Sequence, residues 1–255
     1  MLFDLPHILY MVITFSLTAV LLIILHYKVT TTTGKVNVLK ISAILTVIVH
    51  YSSLWVDYFS YGSATVQNTM LLPIYPCNII MWLLLAVSFV KKREGVAYKF
   101  LSEFTCLAGV VCGIIGIVLN ENYGNNPSLL DYDIFKGLFS HTTMVFGCLY
   151  LKTAGFIKIR VSNVLSVVAG LLLFVIDGVI INTLFAVFNL DSVNSMYLLE
   201  PPFANLPFIN TGVIGVAGVL LIFGLTALYE AIALPKEERW YTLLKNKKFK
   251  EALFN

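Results

Sequence analysis

Apolar runs of about 20 residues recur from one end of the chain to the other, broken by short polar stretches. That is the length a helix needs to cross a bilayer. The pattern predicts an all-α membrane protein, a bundle of seven transmembrane helices at about 7–27, 37–58, 69–90, 101–119, 134–151, 161–187 and 210–233. The fourth span includes "CLAGVVCGIIGIVL", short and glycine-rich, which suits close helix packing. No fixed-period repeat and no low-complexity linker interrupts the series.

Composition agrees: 58% of the 255 residues are hydrophobic and 12% charged, against about 25% charged in a soluble domain. No polar stretch is long enough for a separate soluble domain. Residues 1–234 therefore read as a single transmembrane domain, and 235–255 as a basic tail.

The charges orient the domain. Lys28, Lys35 and Lys40 surround the first loop, Lys91, Lys92, Arg93 and Lys99 the third, Lys152, Lys158 and Arg160 the fifth, and six more lie in the tail. Sixteen of the seventeen basic residues fall on one side; Lys136, at the head of the fifth span, is the exception. The positive-inside rule makes that side cytoplasmic and puts the N-terminus outside. The start "MLFDLPHILYMV" has no basic region and no small-residue cleavage site, so it is expected to be a retained span. The net charge of +3 is the cytoplasmic anchor set and calls for no nucleic acid. In the tail, Trp240, Leu243, Leu244 and Tyr241 can share the apolar face of an interfacial helix.

The third span opens with "LLPIYPCNII", two prolines, a tyrosine, a cysteine and an asparagine in six positions. It is expected to be either a kinked packing element or the wall of a site, with Pro73 and Pro76 bending the helix so that Cys77 faces a cavity and Asn78 helps satisfy the disturbed backbone. The other cysteines, Cys106, Cys112 and Cys148, lie in apolar runs and read as small packing residues. His7 and His26 read as interfacial. No zinc spacing, phosphate loop, nucleotide-binding glycine pattern or HExxH motif occurs, so neither a metal nor a cofactor is called for.

Depth arguments gather the remaining polar groups. At 1.5 Å per residue, Cys77 lies roughly 12 Å from the outer surface, His141 roughly 10–11 Å, His50 roughly 12 Å, Asn182 roughly 7–8 Å and Asp177 roughly 15 Å, with Asp57 at the mouth. Lipid penalises each of them, so they should face the bundle interior. A thiol beside an imidazole is a nucleophile with a base, and an oriented acid or amide completes the arrangement; Asp177, Asn182 and Asp57 are candidates for that third place. A lone membrane cysteine or histidine is equally explained by packing or by a hydrogen bond to a neighbour. The same residues could also line a solute or proton route: His50, Asp57, Cys77, His141 and Asp177 in a transport or binding protein. Residues and spacing leave both open. In the last outer loop, Asn194, Tyr197 and Glu200 of "NSMYLLEPPFANLPF" could contact a headgroup or belong to a structured connection held by prolines.

"LPIYPCNI" resembles the Leu-Pro-x-x-x-Cys-polar segment of the YwaF-type bacterial integral membrane proteins and their eukaryotic transmembrane relatives. "LFSHTTMVFGCLYL" is similar to that family's aromatic-x-His segment, "NSMYLLEPP" to its Asn-x-Met-Tyr-Leu…Pro segment, and "GNNPSLLDYD" to its Gly-Asn outer loop. The resemblance covers most of the chain in order. It implies a bacterial cell membrane and, through the eukaryotic branch, Cys-dependent acyl transfer on phospholipids or lysolipids. Cys77 would then be the nucleophile and His141 the proton shuttle, with His50, Asp57, Tyr75, Asn78, Asn194, Tyr197 and Glu200 contacting substrate. The chain departs from the family pattern at Tyr75, where a second histidine is frequent, and at Pro201, where a lysine is common.

Overall fold

The computed structural model describes residues 2–62, 72–190, 193–202 and 207–246, and these form helices and connections without a strand. The helices are α1 (Leu5–Lys28), α2 (Thr32–Tyr61), α3 (Pro76–Phe89), α4 (Val96–Val118), α5 (Glu121–Asn125), α6 (Tyr132–Thr153), α7 (Val164–Val187), α8 (Thr211–Ala233) and α9 (Trp240–Lys245). Short 3₁₀ turns precede α7 and α9, and a third lies at Ser195–Tyr197.

Five stretches are long and apolar enough to cross a membrane: Leu5–Lys28, Thr32–Ser60, Val96–Asn125, Val161–Val187 and Thr211–Ala233. The expected count of seven is not reached on those criteria. α3 has only 14 residues. α6 has 22 but carries Asp133, Lys136, His141 and Lys152 along its length. The outer helices turn rows of aliphatic side chains outward, such as Val12, Ile13 and Leu17 on α1 and Val216, Leu220 and Leu225 on α8. A surface so apolar needs hydrocarbon around it, and the protein is an integral membrane protein.

α2, α3, α4 and α6 enclose the core, built from Leu39, Ala43, Ile80, Leu84, Phe104, Met144, Tyr150 and Leu151 among others. The glycine stripe of α4 lets α6 approach closely: a Cβ on Gly109 would strike Cys148, and one on Gly113 would strike Val145. Cys106 and Cys148 are buried in this core, as packing residues should be. α1 lies parallel to α6, with the Tyr10 hydroxyl 3.0 Å from that of Thr142 and His26 Nδ1 3.0 Å from the Thr153 carbonyl.

His7, in the first turn of α1, is fully buried. Its Nδ1 accepts from the Phe3 amide at 3.2 Å, which leaves Nε2 to donate to the Ile117 carbonyl at 2.8 Å. The start of α1 is thereby fastened to the end of α4. Asp4 caps α1 through the His7 amide and accepts the Tyr123 hydroxyl at 2.6 Å; that hydroxyl holds the Asp4 carboxyl below its ordinary pKa.

The prolines of the third apolar run do not bend a helix. Residues 72–75 are non-helical and α3 begins at Pro76. Proline disfavours helical geometry in the residue before it, and its missing N–H costs nothing at a helix start. Tyr75 is accordingly extended (φ −113°, ψ 154°) and Pro76 opens α3, with Cys77 in its first turn. The expected entry of this run at residue 69 falls outside the described residues.

A second connection fixes this non-helical segment from the far side of the sequence. The Ile74 carbonyl accepts the Met196 amide at 2.9 Å and the Ser195 hydroxyl at 3.2 Å. Met196 and Tyr197 both have left-handed backbones (φ 54°), a strained conformation for bulky residues that surrounding contacts must hold. Thr211 Oγ1 lies 2.9 and 2.6 Å from their two carbonyls. Asn182 of α7 accepts the Ser195 amide at 2.8 Å and donates to its carbonyl at 3.2 Å.

Candidate functional site

A cavity of about 580 Å³ opens between α2, α3, α6 and the α5 connection. That is the size of a small-ligand pocket. Its wall brings together His50, Asp57, Tyr75, Cys77, Asn78 and His141, six of the residues singled out from the sequence. Five of them come from three helices and Tyr75 from the extended residue before α3, whose first turn, opening at Pro76, stands against the wall.

Cys77 and Asn78 are joined to a histidine. The Cys77 thiol donates to Asn78 Oδ1 at 3.7 Å, and Asn78 Nδ2 donates to His50 Nε2 at 3.3 Å. The amide can only donate from its nitrogen, so His50 carries its proton on Nδ1. The hydrogen-bonded partner of the cysteine segment is therefore His50, which the sequence placed among substrate contacts.

His141 is held differently. Its Nδ1 lies 2.7 Å from the Gly137 carbonyl one turn back, and a carbonyl can only accept, so Nδ1 bears the proton and Nε2 the lone pair. The ring packs against Gly116 of α4, where a Cβ would collide with it. The glycine is required at this position by that close approach.

Charged residues line the same cavity. Lys136 Nζ donates to Ser53 Oγ at 3.0 Å and pairs with Asp133 at 3.1 Å. The one basic residue on the wrong side for the charge rule is thus a wall residue of the cavity. Asp131 caps α6 through the amides of Asp133 and Ile134, and Asn122, Asn125 and Asn126 add further polar wall. These residues were missed as a group, although Lys136 itself, out of place in the charge pattern, was the available signal.

The other expected site residues lie elsewhere. Asp177 and Asn182 are not brought to the wall, so neither completes a triad with Cys77 and His141. Asn182 holds Ser195, and Asp177 Oδ2 is buried without a hydrogen-bond partner among the described residues. Asn194 closes its own loop through the backbone of Leu199 and Glu200, and Glu200 takes part through that backbone. Tyr197 meets the cavity indirectly, its ring 5.3 Å from that of Tyr75. "NSMYLLE" is a structured connection that positions the Tyr75–Cys77 corner. Among the described residues no group of three or more His, Cys, Asp or Glu is placed to hold a metal ion.

The chain matches the TMEM164 family over residues 2–229 and belongs to that family. No curated protein and no solved structure matches it. The family is not the YwaF type that the short motifs resembled. Acyl transfer and a cysteine nucleophile had come with that resemblance, as had the bacterial cell membrane, and the family match supplies none of them. Four short segments, each resting on one or two distinctive residues, were too little to separate one family of polytopic membrane proteins from another.

Proposed function

We propose that this member of the TMEM164 family is a seven-span membrane protein, N-terminus outside and C-terminus cytoplasmic, whose outer cavity transfers an acyl chain between phospholipids or lysolipids. Two spans join the five apolar ones: α6, whose Asp133 and Lys136 line the cavity, and α3 with the non-helical segment before it. The charge pattern supports the orientation. Cysteines introduced at Ser128 should react with an impermeant maleimide on intact cells and cysteines at Gly95 should not; the reverse pattern would invert the topology.

The observation that carries the chemistry is that Cys77 and His141 share one cavity while His141 keeps its lone pair on Nε2. In the first half-reaction Nε2 takes the thiol proton as the sulfur attacks the ester carbonyl. The carbon–oxygen bond breaks, the lysolipid alkoxide takes the proton back, and a thioester remains on Cys77. In the second, the acceptor hydroxyl gives its proton to Nε2, attacks the thioester and expels the thiolate, which is reprotonated. Asn78 and His50 orient the thiol, and Lys136 with Asp57 offers charge to a headgroup. Such positioning makes the attack effectively unimolecular.

The ionisable lining of Asp57, Asp131, Asp133 and Lys136 favours one second reading, a solute- or proton-conducting protein. Thiol alkylation of purified protein separates the two. Blocking Cys77 should abolish acyl exchange between labelled phospholipid and lysolipid, with Cys106→Ser, Cys112→Ser and Cys148→Ser unaffected. Exchange that survives the block removes covalent catalysis and leaves the transport reading.

A further inference from the structure

All four cysteines are free thiols, and they lie on three helices that pack on one another: Cys77 on α3, Cys106 and Cys112 on α4, and Cys148 on α6. Cys106 and Cys148 are buried, whereas Cys77 and Cys112 are partly exposed. The outer-cavity chemistry uses Cys77 and leaves Cys112 without a part.

One crossing places this second thiol. A Cβ on Gly109 of α4 would collide with Cys148 Sγ on α6 and come within 2.8 Å of Ile80 Cγ2 on α3, so the three helices meet there at glycine distance. From that crossing α4 rises toward the outer cavity, where its Gly116 packs against His141. α3 runs the opposite way, from Cys77 on the cavity wall down to Ile80. Cys77 stands three residues from Ile80 and Cys112 three residues from Gly109, both toward the cavity. Residues three apart share a helix face, so one turn above the crossing the two cysteines lie across the α3–α4 contact from each other. Their thiols are within electrostatic reach of one another. Packed helices usually keep their axes about 8–10 Å apart, while a disulfide needs Cα atoms about 4.4–6.8 Å apart. The close approach at Gly109 supplies that shortening beside this pair.

We propose that Cys77 and Cys112 form a reversible disulfide when the outer cavity meets a peroxide, with Cys112 as the resolving thiol that guards Cys77. In the first step His141 Nε2 takes the Cys77 proton and the sulfur attacks one peroxide oxygen. The oxygen–oxygen bond breaks, the departing hydroxide takes the proton and leaves as water, and Cys77 becomes a sulfenic acid. In the second, the Cys112 sulfur attacks the Cys77 sulfur and expels hydroxide, which leaves as a second water with the Cys112 proton. Two thiols give up two electrons and one hydrogen peroxide accepts them. The bond does not rest on the acyl-transfer reading; under that reading it also silences the nucleophile until a reductant frees it.

The test uses the full chain, reduced and purified in detergent. The protein is treated with hydrogen peroxide, alkylated, digested and weighed. The Cys77 and Cys112 peptides should appear linked, lighter than their sum by two hydrogens and separated by a phosphine, while Cys106 and Cys148 remain thiols because they are buried. In Cys112→Ser the link is absent, and Cys77 should instead gain two oxygens as a sulfinic acid that the phosphine does not reverse. Cys112→Ala repeats the measurement if the serine disturbs folding. Cys77 and Cys112 both alkylated after peroxide, a link from Cys77 to Cys148 in place of Cys112, or equal overoxidation of Cys77 in wild type and Cys112→Ser overturns the proposal. The outcome is read from mass, so a protein without acyl exchange tests it equally well.

Discussion

Asn182→Ala distinguishes a residue of the chemistry from a residue that shapes the site. The sequence made Asn182 a candidate third member beside Cys77 and His141, whereas the structure gives it both backbone groups of Ser195. Ser195 is fully buried, and its amide would find no water. Two hydrogen bonds of about 0.5–1.5 kcal/mol each, with an added penalty for the stranded amide, make the loss about 2–4 kcal/mol. For a chain of this size that lowers Tm by roughly 5–12 °C. Asn182→Asp keeps an acceptor for the Ser195 amide but sets a carboxyl oxygen against the Ser195 carbonyl, so it should lower Tm as well. Because Met196 and Ser195 grip Ile74, the loosened turn should also free the Tyr75–Cys77 corner, and Cys77 should react faster with a small maleimide. Melting curves in detergent and alkylation rates measure both effects. An Asn182→Ala protein that melts with the wild type yet has lost acyl exchange would refute this reasoning and return Asn182 to the chemistry.

Gly116→Ala should reduce activity sharply, since the new methyl displaces the His141 ring; overpacking of about 1–3 kcal/mol outweighs a helix-propensity gain of about 1 kcal/mol. Gly215→Ala on α8, where a Cβ meets nothing within 4 Å, should instead raise Tm slightly, and equal behaviour of the two variants would contradict the packing account. Glu230→Gln leaves one of two buried amides facing an NH₂ group, costs about 2–4 kcal/mol, and should speed tryptic cleavage at Arg239. The Asp4 carboxyl is held down by the Tyr123 hydroxyl, so its contribution is present above the unfolded value near 3.8 and fades as pH falls through the lower folded value. Tyr123→Phe should therefore lose Tm at neutral pH and converge on the wild type under strong acid, whereas a pH-independent difference would contradict the linkage.

The apolar runs made a helical membrane protein legible, because period and length are local properties. The cysteine and histidines were legible as polar groups that lipid would not accept. The start of α3 was not. "LLPIYPCNII" is consistent with a kinked helix or with a helix that begins at Pro76, and the non-helical segment before Pro76 is held by Ser195 and Met196, more than a hundred residues away. The link from Cys77 through Asn78 to His50 is likewise a lateral contact that depth estimates cannot give. Asn182 shows the reverse error: depth placed it beside the cavity, while its rotation about α7 points it at a turn. Lys136 broke the charge pattern for a reason visible only once Ser53 and Asp133 surround its ammonium.

The central claim is that Cys77 carries the acyl chain with His141 as its base. Wild-type protein incubated with phospholipid and no acceptor is digested, and the Cys77 peptide is weighed before and after hydroxylamine. The account predicts one acyl mass on Cys77, removed by hydroxylamine, absent in Cys77→Ser and strongly reduced in His141→Gln, with both variants melting within a few degrees of wild type. An unmodified Cys77 in protein that still exchanges acyl chains, or an adduct unaffected by His141→Gln, would contradict it.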